Sequence, residues 1–171
     1  ADLRRLLKEY DISCIFVTHA KEEAFAFADK TAVMIHGQIE QLDSPANVFN
    51  QPKTVAVAEF MESGNLATLK HSQQVLDAVS HQWPRDIDNS GYWLFKPQQI
   101  TLRHSLQSTG IELIDSTYIG RGYQHEIAIR LNKSNDAPSI TWKAETESPI
   151  DIPIGDNLAL EYVSEPHWLQ C

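Results

Sequence analysis

Apolar positions recur with two different periods along this chain, and the change of period divides it. Leu3, Leu6, Leu7 and Tyr10 fall at helical spacing among Arg4, Arg5, Lys8 and Glu9, which predicts an amphipathic helix. Residues 12–17 follow as a continuous apolar run with β-branched members, the pattern of a strand buried on both faces of a parallel sheet. Thr18 and His19 end it. Helical spacing resumes over 21–29 through Ala24, Phe25, Phe27 and Ala28, with Glu22 and Glu23 in the first turn, where the helix dipole favours acids. Residues 31–35 and 38–42 read as a hairpin about His36-Gly37. At Ser44-Pro45 the serine can accept an orphan amide bond and the proline can occupy the first helical position, so short helices are predicted at 45–50 and 54–61.

Past Ser63-Gly64-Asn65 the helical period disappears. Short strand-like runs at 66–70, 75–79, 92–96, 100–103, 111–119, 123–131, 139–144 and 158–163 alternate with turn-forming clusters, as in a small barrel or sandwich. The clearest alternation puts Tyr123, His125, Ile127, Ile129 and Leu131 on one face and Gln124, Glu126, Ala128 and Arg130 on the other, a half-buried strand. Residues 86–91 and 132–138 read as exposed turns. Two domains are expected, an α/β part over 1–62 and an all-β part over 63–171, with no internal repeat.

Composition narrows the function classes. The 171 residues, 42% hydrophobic and 22% charged, are those of a globular protein with a core that needs no staples. No apolar run reaches membrane-spanning length and no leader is visible in the first ten residues, so a cytosolic or peripheral protein is expected. A net charge of -9 opposes a nucleic-acid surface, and with it an oligonucleotide-binding barrel. Cys14 and Cys171 have the spacing of neither a metal knuckle nor a redox pair. His71, His81, His104 and His167 lack the spacing of a zinc site and read as surface residues; His125 reads as a bonded core or edge residue. No metal site is expected. Asp86 and Asp88 suit a turn better than an acid/base pair, and Trp83, Trp93, Trp142 and Trp168 suit packing better than a stacking surface for a ligand.

The remaining candidate is His19. It follows a run read as a buried parallel strand, and ligands of open α/β sheets bind outside the carboxyl ends of such strands. An imidazole there can hydrogen-bond a phosphate oxygen or an attacking water; the plainer alternative is that it caps the next helix. The surrounding residues favour the first. Ile15-Phe16-Val17-Thr18-His19-Ala20-Lys21-Glu22-Glu23-Ala24, Ala28-Asp29-Lys30-Thr31-Ala32-Val33-Met34, Gly37-Gln38-Ile39-Glu40-Gln41 and Ser44-Pro45 together resemble the end of the nucleotide-binding domain of ATP-binding-cassette importers. The resemblance implies that His19 is the switch histidine, which contacts the ATP γ-phosphate and helps position the hydrolytic water between two sandwiched subunits. The family often carries Asp after this histidine, where this chain has Ala20.

Phe95-Lys96-Pro97-Gln98-Gln99-Ile100 resembles the Arg-Pro-Glu element of the accessory OB-like (TOBE) barrel of those importers, with Lys96 and Gln98 as departures, and Tyr118-Ile119-Gly120 also fits that domain. The implied fold class is an α/β fragment, the end of a P-loop-type nucleotide-binding domain, followed by an all-β OB-like barrel that regulates or dimerises the subunit. The chain has no G-x-x-x-x-G-K-[ST] phosphate loop, and the family's signature and Walker B segments lie upstream of the matching region. The resemblance therefore implies the C-terminal piece of a longer ATPase. ATP and Mg²⁺ would serve the full-length subunit and no cofactor this chain alone, which is expected to be without turnover. Implied partners are transmembrane permease subunits, a second ATPase subunit and, indirectly, a periplasmic solute-binding protein, at the cytoplasmic face of the membrane. Phe60-Met61-Glu62-Ser63-Gly64-Asn65-Leu66 resembles the junction of iron(III) importers; polyamine, thiamine, phosphonate and sulfate are the alternatives. A stand-alone barrel that senses a small oxyanion or metal is the rival class. A further expectation is dimerisation through the first 61 residues, where the strand read over 12–17 would expose an apolar edge.

Overall fold

The computed structural model describes residues 2–68, 91–107, 110–130, 139–164 and 166–169. They fall into two compact units, Ala1–Glu62 and Ser63–Cys171.

In the first unit, α1 (Asp2–Glu9) ends on a left-handed Asp11, φ 51°. The amide of Ile12 donates to the Leu7 carbonyl at 2.8 Å and that of Asp11 to the Lys8 carbonyl at 3.4 Å, so the last turn closes as a Schellman motif without glycine. The strand expected over 12–17 is not formed. Those residues are irregular and exposed, Ile15 at 95% and Val17 at 89%. A strand exists only through a neighbour's backbone, and among the described residues no segment pairs with this one.

The chain then enters α2 (Lys21–Phe27) and a hairpin of β1 (Thr31–Ile35) and β2 (Gln38–Asp43). His36 and Gly37 both take positive φ, 49° and 79°, as a type I′ connection requires. α3 (Pro45–Asn50) starts where the sequence signals it, with Ser44 Oγ accepting from the Asn47 amide and Pro45 in the first turn. Thr54 Oγ1 caps α4 (Val55–Met61) in the same way. Val33, Val48, Val57 and Met61 form the small core, with Phe25, Ile35 and Phe49 against it. The buried Gln41 side chain ties the 51–53 loop to β2, donating to the Gln51 carbonyl at 3.1 Å and accepting from the Lys53 amide at 2.8 Å.

The second unit is antiparallel throughout. β3 (Asn65–Thr68), β4 (Tyr92–Phe95) and β10 (His167–Leu169) form one sheet in the order β10-β4-β3. β5 (Ile100–His104) pairs with β9 (Leu158–Tyr162). β6 (Ile111–Tyr118), β7 (Tyr123–Arg130) and β8 (Ser139–Thr146) make the third sheet, in chain order. These strands stand as three sheets; among the described residues no closed barrel is formed. One core serves all three, built on Phe95, Trp142 and Tyr162 with the inward aliphatics of β5, β6, β7 and β9. The alternation read along β7 is realised, with His125, Ile127 and Ile129 buried on one face.

Single polar side chains join the sheets. Asn65 Nδ2 donates to the Lys143 carbonyl at 2.7 Å while its Oδ1 accepts from the Lys143 amide at 2.6 Å, so one amide side chain acts as an extra strand along β8. Gly64 beside it has φ 157°, and a Cβ there would stand 2.5 Å from the Phe95 carbonyl oxygen. The strand expected at 75–79, most of the 86–91 turn and the 132–138 turn lie outside the described residues, as do His71, His81, Trp83, Asp86, Asp88 and Cys171.

Candidate functional site

His19 lies at the end of the irregular segment, exposed, two residues before α2 begins. Its neighbours are ordered by one side chain. Thr18 Oγ1 accepts the Ala20 amide at 3.0 Å, closing a turn of three residues with His19 at its centre. The same hydroxyl donates to Glu23 Oε2 at 2.7 Å. Ala20 occupies the N-cap position of α2 and offers no side-chain acceptor there, so the first turn lacks the cap that an aspartate would supply. Glu22 and Glu23 stand in the first turn, as their spacing implies. Lys21 reaches across to Glu62 at 2.8 Å. The arrangement presents one imidazole to solvent on a fixed backbone, which suits contact with an anionic oxygen and supplies no second catalytic group.

An open groove of about 430 Å³ in the same unit is lined by Arg4, Phe25, Ala28, Pro45 and Phe49, and His19 is not among the residues lining it. Arg4 is committed at its rim, with Nη2 on Asp29 at 2.9 Å. In the second unit a cleft of about 310 Å³ is lined by Gln98, Arg121, Tyr123, Glu145 and Glu147. Gln98 Nε2 donates to Glu145 Oε2 at 2.9 Å.

The other sequence candidates separate cleanly. His104 and His167 are exposed, and His104 pairs with Asp156 at 3.1 Å. His125 is fully buried, with Nε2 2.8 Å from Thr146 Oγ1. Thr146 gives its hydroxyl proton to the Ser148 carbonyl at 2.6 Å, so the imidazole carries its proton on Nε2. Burial pushes the His125 pKa down. Trp93 and Trp142 are core residues, and Trp168 packs edge-on against Trp93 with centroids 4.9 Å apart. Among the described residues no cluster of three or more His, Cys, Asp or Glu could hold a metal ion. No helix there is long and apolar enough to cross a membrane.

Lys96 and its neighbours, singled out by sequence, serve the fold. Lys96 Nζ donates to the Ser63 carbonyl at 2.7 Å, and its amide to Tyr162 Oη at 3.0 Å; that hydroxyl donates to Gln99 Oε1 at 2.6 Å. Burial pushes the Lys96 ammonium down to about 8. The sequence reading missed Thr18, Glu23 and Asn65. Thr18 was legible in retrospect, since a threonine two residues before a helix N-cap is a turn signal.

Over most of its length the chain belongs to the family of ATP-binding-cassette importer ATP-binding subunits. It is similar to the Fe(3+) ions import ATP-binding protein FbpC of Escherichia coli O157:H7, 31% identical over 150 residues that cover 81% of this chain and 43% of that protein. The sulfate/thiosulfate import ATP-binding protein CysA of Bacillus cereus is 31% identical over 132 residues, 73% of this chain and 35% of its own length. The spermidine/putrescine import ATP-binding protein PotA of onion yellows phytoplasma is 43% identical over 65 residues, 38% of this chain and 16% of its own. The chain thus spans less than half the length of these relatives. No family model matches it.

Proposed function

We propose that this chain is the C-terminal part of the ATP-hydrolysing subunit of an importer: the end of the nucleotide-binding domain over 1–62, and an OB-like barrel over 63–171 that regulates or dimerises the subunit. His19 is the switch histidine at the ATP γ-phosphate. What carries the reading is an exposed imidazole on an ordered turn before α2, in a chain similar over 81% of its length to an import ATP-binding protein. Residues 12–17 then belong to a parallel sheet that other parts of the subunit complete, which accounts for apolar side chains as exposed as Ile15 and Val17.

The residues present fit one contact to the nucleotide. His19 can hold a terminal phosphate oxygen; bound ATP supplies the transferable phosphoryl group, and Mg²⁺ its charge neutralisation. A phosphate loop is absent from the sequence, so this chain by itself turns over no ATP. Iron(III) is the proposed solute, since FbpC matches over 81% of this chain against 78% for a PotA and 73% for a CysA; polyamine, thiamine, phosphonate and sulfate are the alternatives. At the cytoplasmic face this subunit works with permease subunits and a second ATPase subunit, and indirectly with a periplasmic solute-binding protein.

The test is ATP hydrolysis by a chain extended upstream to include a phosphate loop, beside the same protein carrying His19→Ala. Turnover lost on substitution supports the reading. Turnover indifferent to it refutes the role of His19. The cleft between Gln98 and Glu147 favours one rival, a ligand-binding module; a melting temperature raised by a small solute and untouched by ATP would select it.

A further inference from the structure

The turn that holds His19 is built by side chains outside the histidine. Thr18 Oγ1 uses a lone pair for the Ala20 amide and its only proton for Glu23 Oε2. Each bond supports the other: the carboxylate fixes the rotamer of the hydroxyl, which turns its lone pair to the amide beyond His19. The φ and ψ of His19 are thereby closed within a three-residue ring, and the ring is anchored in the first turn of α2 through Glu23. The N-cap of α2 is Ala20, with no side-chain hydrogen bond. An acid at that position would hold the backbone from the helix side; here the hold comes from Thr18 instead.

Resting on the reading of His19 as a phosphate contact, we propose that Thr18 and Glu23 are its positioning residues: they fix the peptide on both sides of the imidazole, so that it meets the γ-phosphate already ordered. Neither residue touches the nucleotide. The hydroxyl is the essential part, since Val matches Thr in shape and can make neither bond.

Two measurements test this. On the 171-residue chain, Thr18→Val speeds hydrogen exchange at the Ala20 amide about tenfold, whereas Thr18→Ser leaves it near the original rate. Unchanged exchange in Thr18→Val overturns the geometry. In the whole ATPase subunit, Thr18→Val and Glu23→Met, which leaves no acceptor for the Thr18 hydroxyl, lower kcat about tenfold while KM for ATP moves less than about twofold, and Thr18→Ser keeps turnover near the original rate. On the residual turnover of a His19→Ala background, Thr18→Val has no further effect, because the group it positions is gone. An equal loss in both backgrounds would mark Thr18 as a general support of the fold and overturn the proposal. Loss of activity in His19→Ala beside full activity in Thr18→Val overturns the positioning role alone. Full activity in His19→Ala overturns the phosphate reading and this proposal with it.

Discussion

Replacing Asn65 by alanine tests how far one side chain holds the second unit together. The amide makes two hydrogen bonds to the backbone of Lys143, at 2.7 and 2.6 Å. Asn65 is only 8% exposed, so water does not readily take its place. A hydrogen bond contributes about 0.5–1.5 kcal/mol net, and a polar group left unsatisfied costs about 1–3 kcal/mol. With partial relaxation of the Lys143 peptide toward solvent, Asn65→Ala should destabilise the unit by about 2–4 kcal/mol. Asn65→Asp keeps the acceptor for the Lys143 amide but turns an oxygen on the Lys143 carbonyl, and should cost at least as much. All four tryptophans, at 83, 93, 142 and 168, lie in this unit, so their fluorescence in a urea titration reports its unfolding selectively. The midpoint should fall with the slope unchanged. A loss below about 0.5 kcal/mol would refute the idea that this side chain substitutes for a strand.

Two titrations bear on the same unit. Burial lowers the folded-state pKa of His125 below its ordinary 6.5, so the unfolded chain binds its proton more tightly; the stability is fully present above pH 6.5 and is lost as pH falls through the folded value. Urea midpoints should therefore drop on acidification below 6.5, less steeply in His125→Gln. Lys96 is lowered from 10.5 to about 8 by burial, so its contribution has the sign of an unfavourable buried charge. Stability should rise as pH climbs from 8 toward 10.5, and Lys96→Met should remove that rise while losing the bond to the Ser63 carbonyl.

Local chemistry was legible in the sequence wherever it was also sufficient. Ser44-Pro45 and His36-Gly37 act within four residues of themselves, and the cap and the turn they signal are present. The alternation from Tyr123 to Arg130 was equally readable, because burial on one face imposes its period on the strand. Residues 12–17 failed for the opposite reason. An apolar run reports a wish for burial and says nothing about which backbone will pair with it. β10 was overlooked because three residues carry no period; Trp168 against Trp93 defines it. Asn65 and Lys143 are 78 positions apart, a distance at which one polar letter gives no hint of its partner. At the site, His19 was singled out by its position after a strand that the described residues do not form, and the residues that order it emerged only from the hydrogen bonds of Thr18.

The uncovered segment from Ile12 to Val17 also governs how the molecule behaves in bulk. Six uncharged residues without proline form a window with the composition of aggregation-prone sequence, and Lys8, Glu9 and Asp11 before it and Lys21, Glu22 and Glu23 after it stand as gatekeepers. Solubility then rests on mutual repulsion between molecules of net charge -9. That repulsion reaches about 30 Å at 0.01 M salt and about 8 Å at 0.15 M. Turbidity of the chain should accordingly grow with ionic strength, and a lysine in place of Ile15 should abolish the growth; a clear solution at every salt concentration would mean that the segment is shielded by something other than charge.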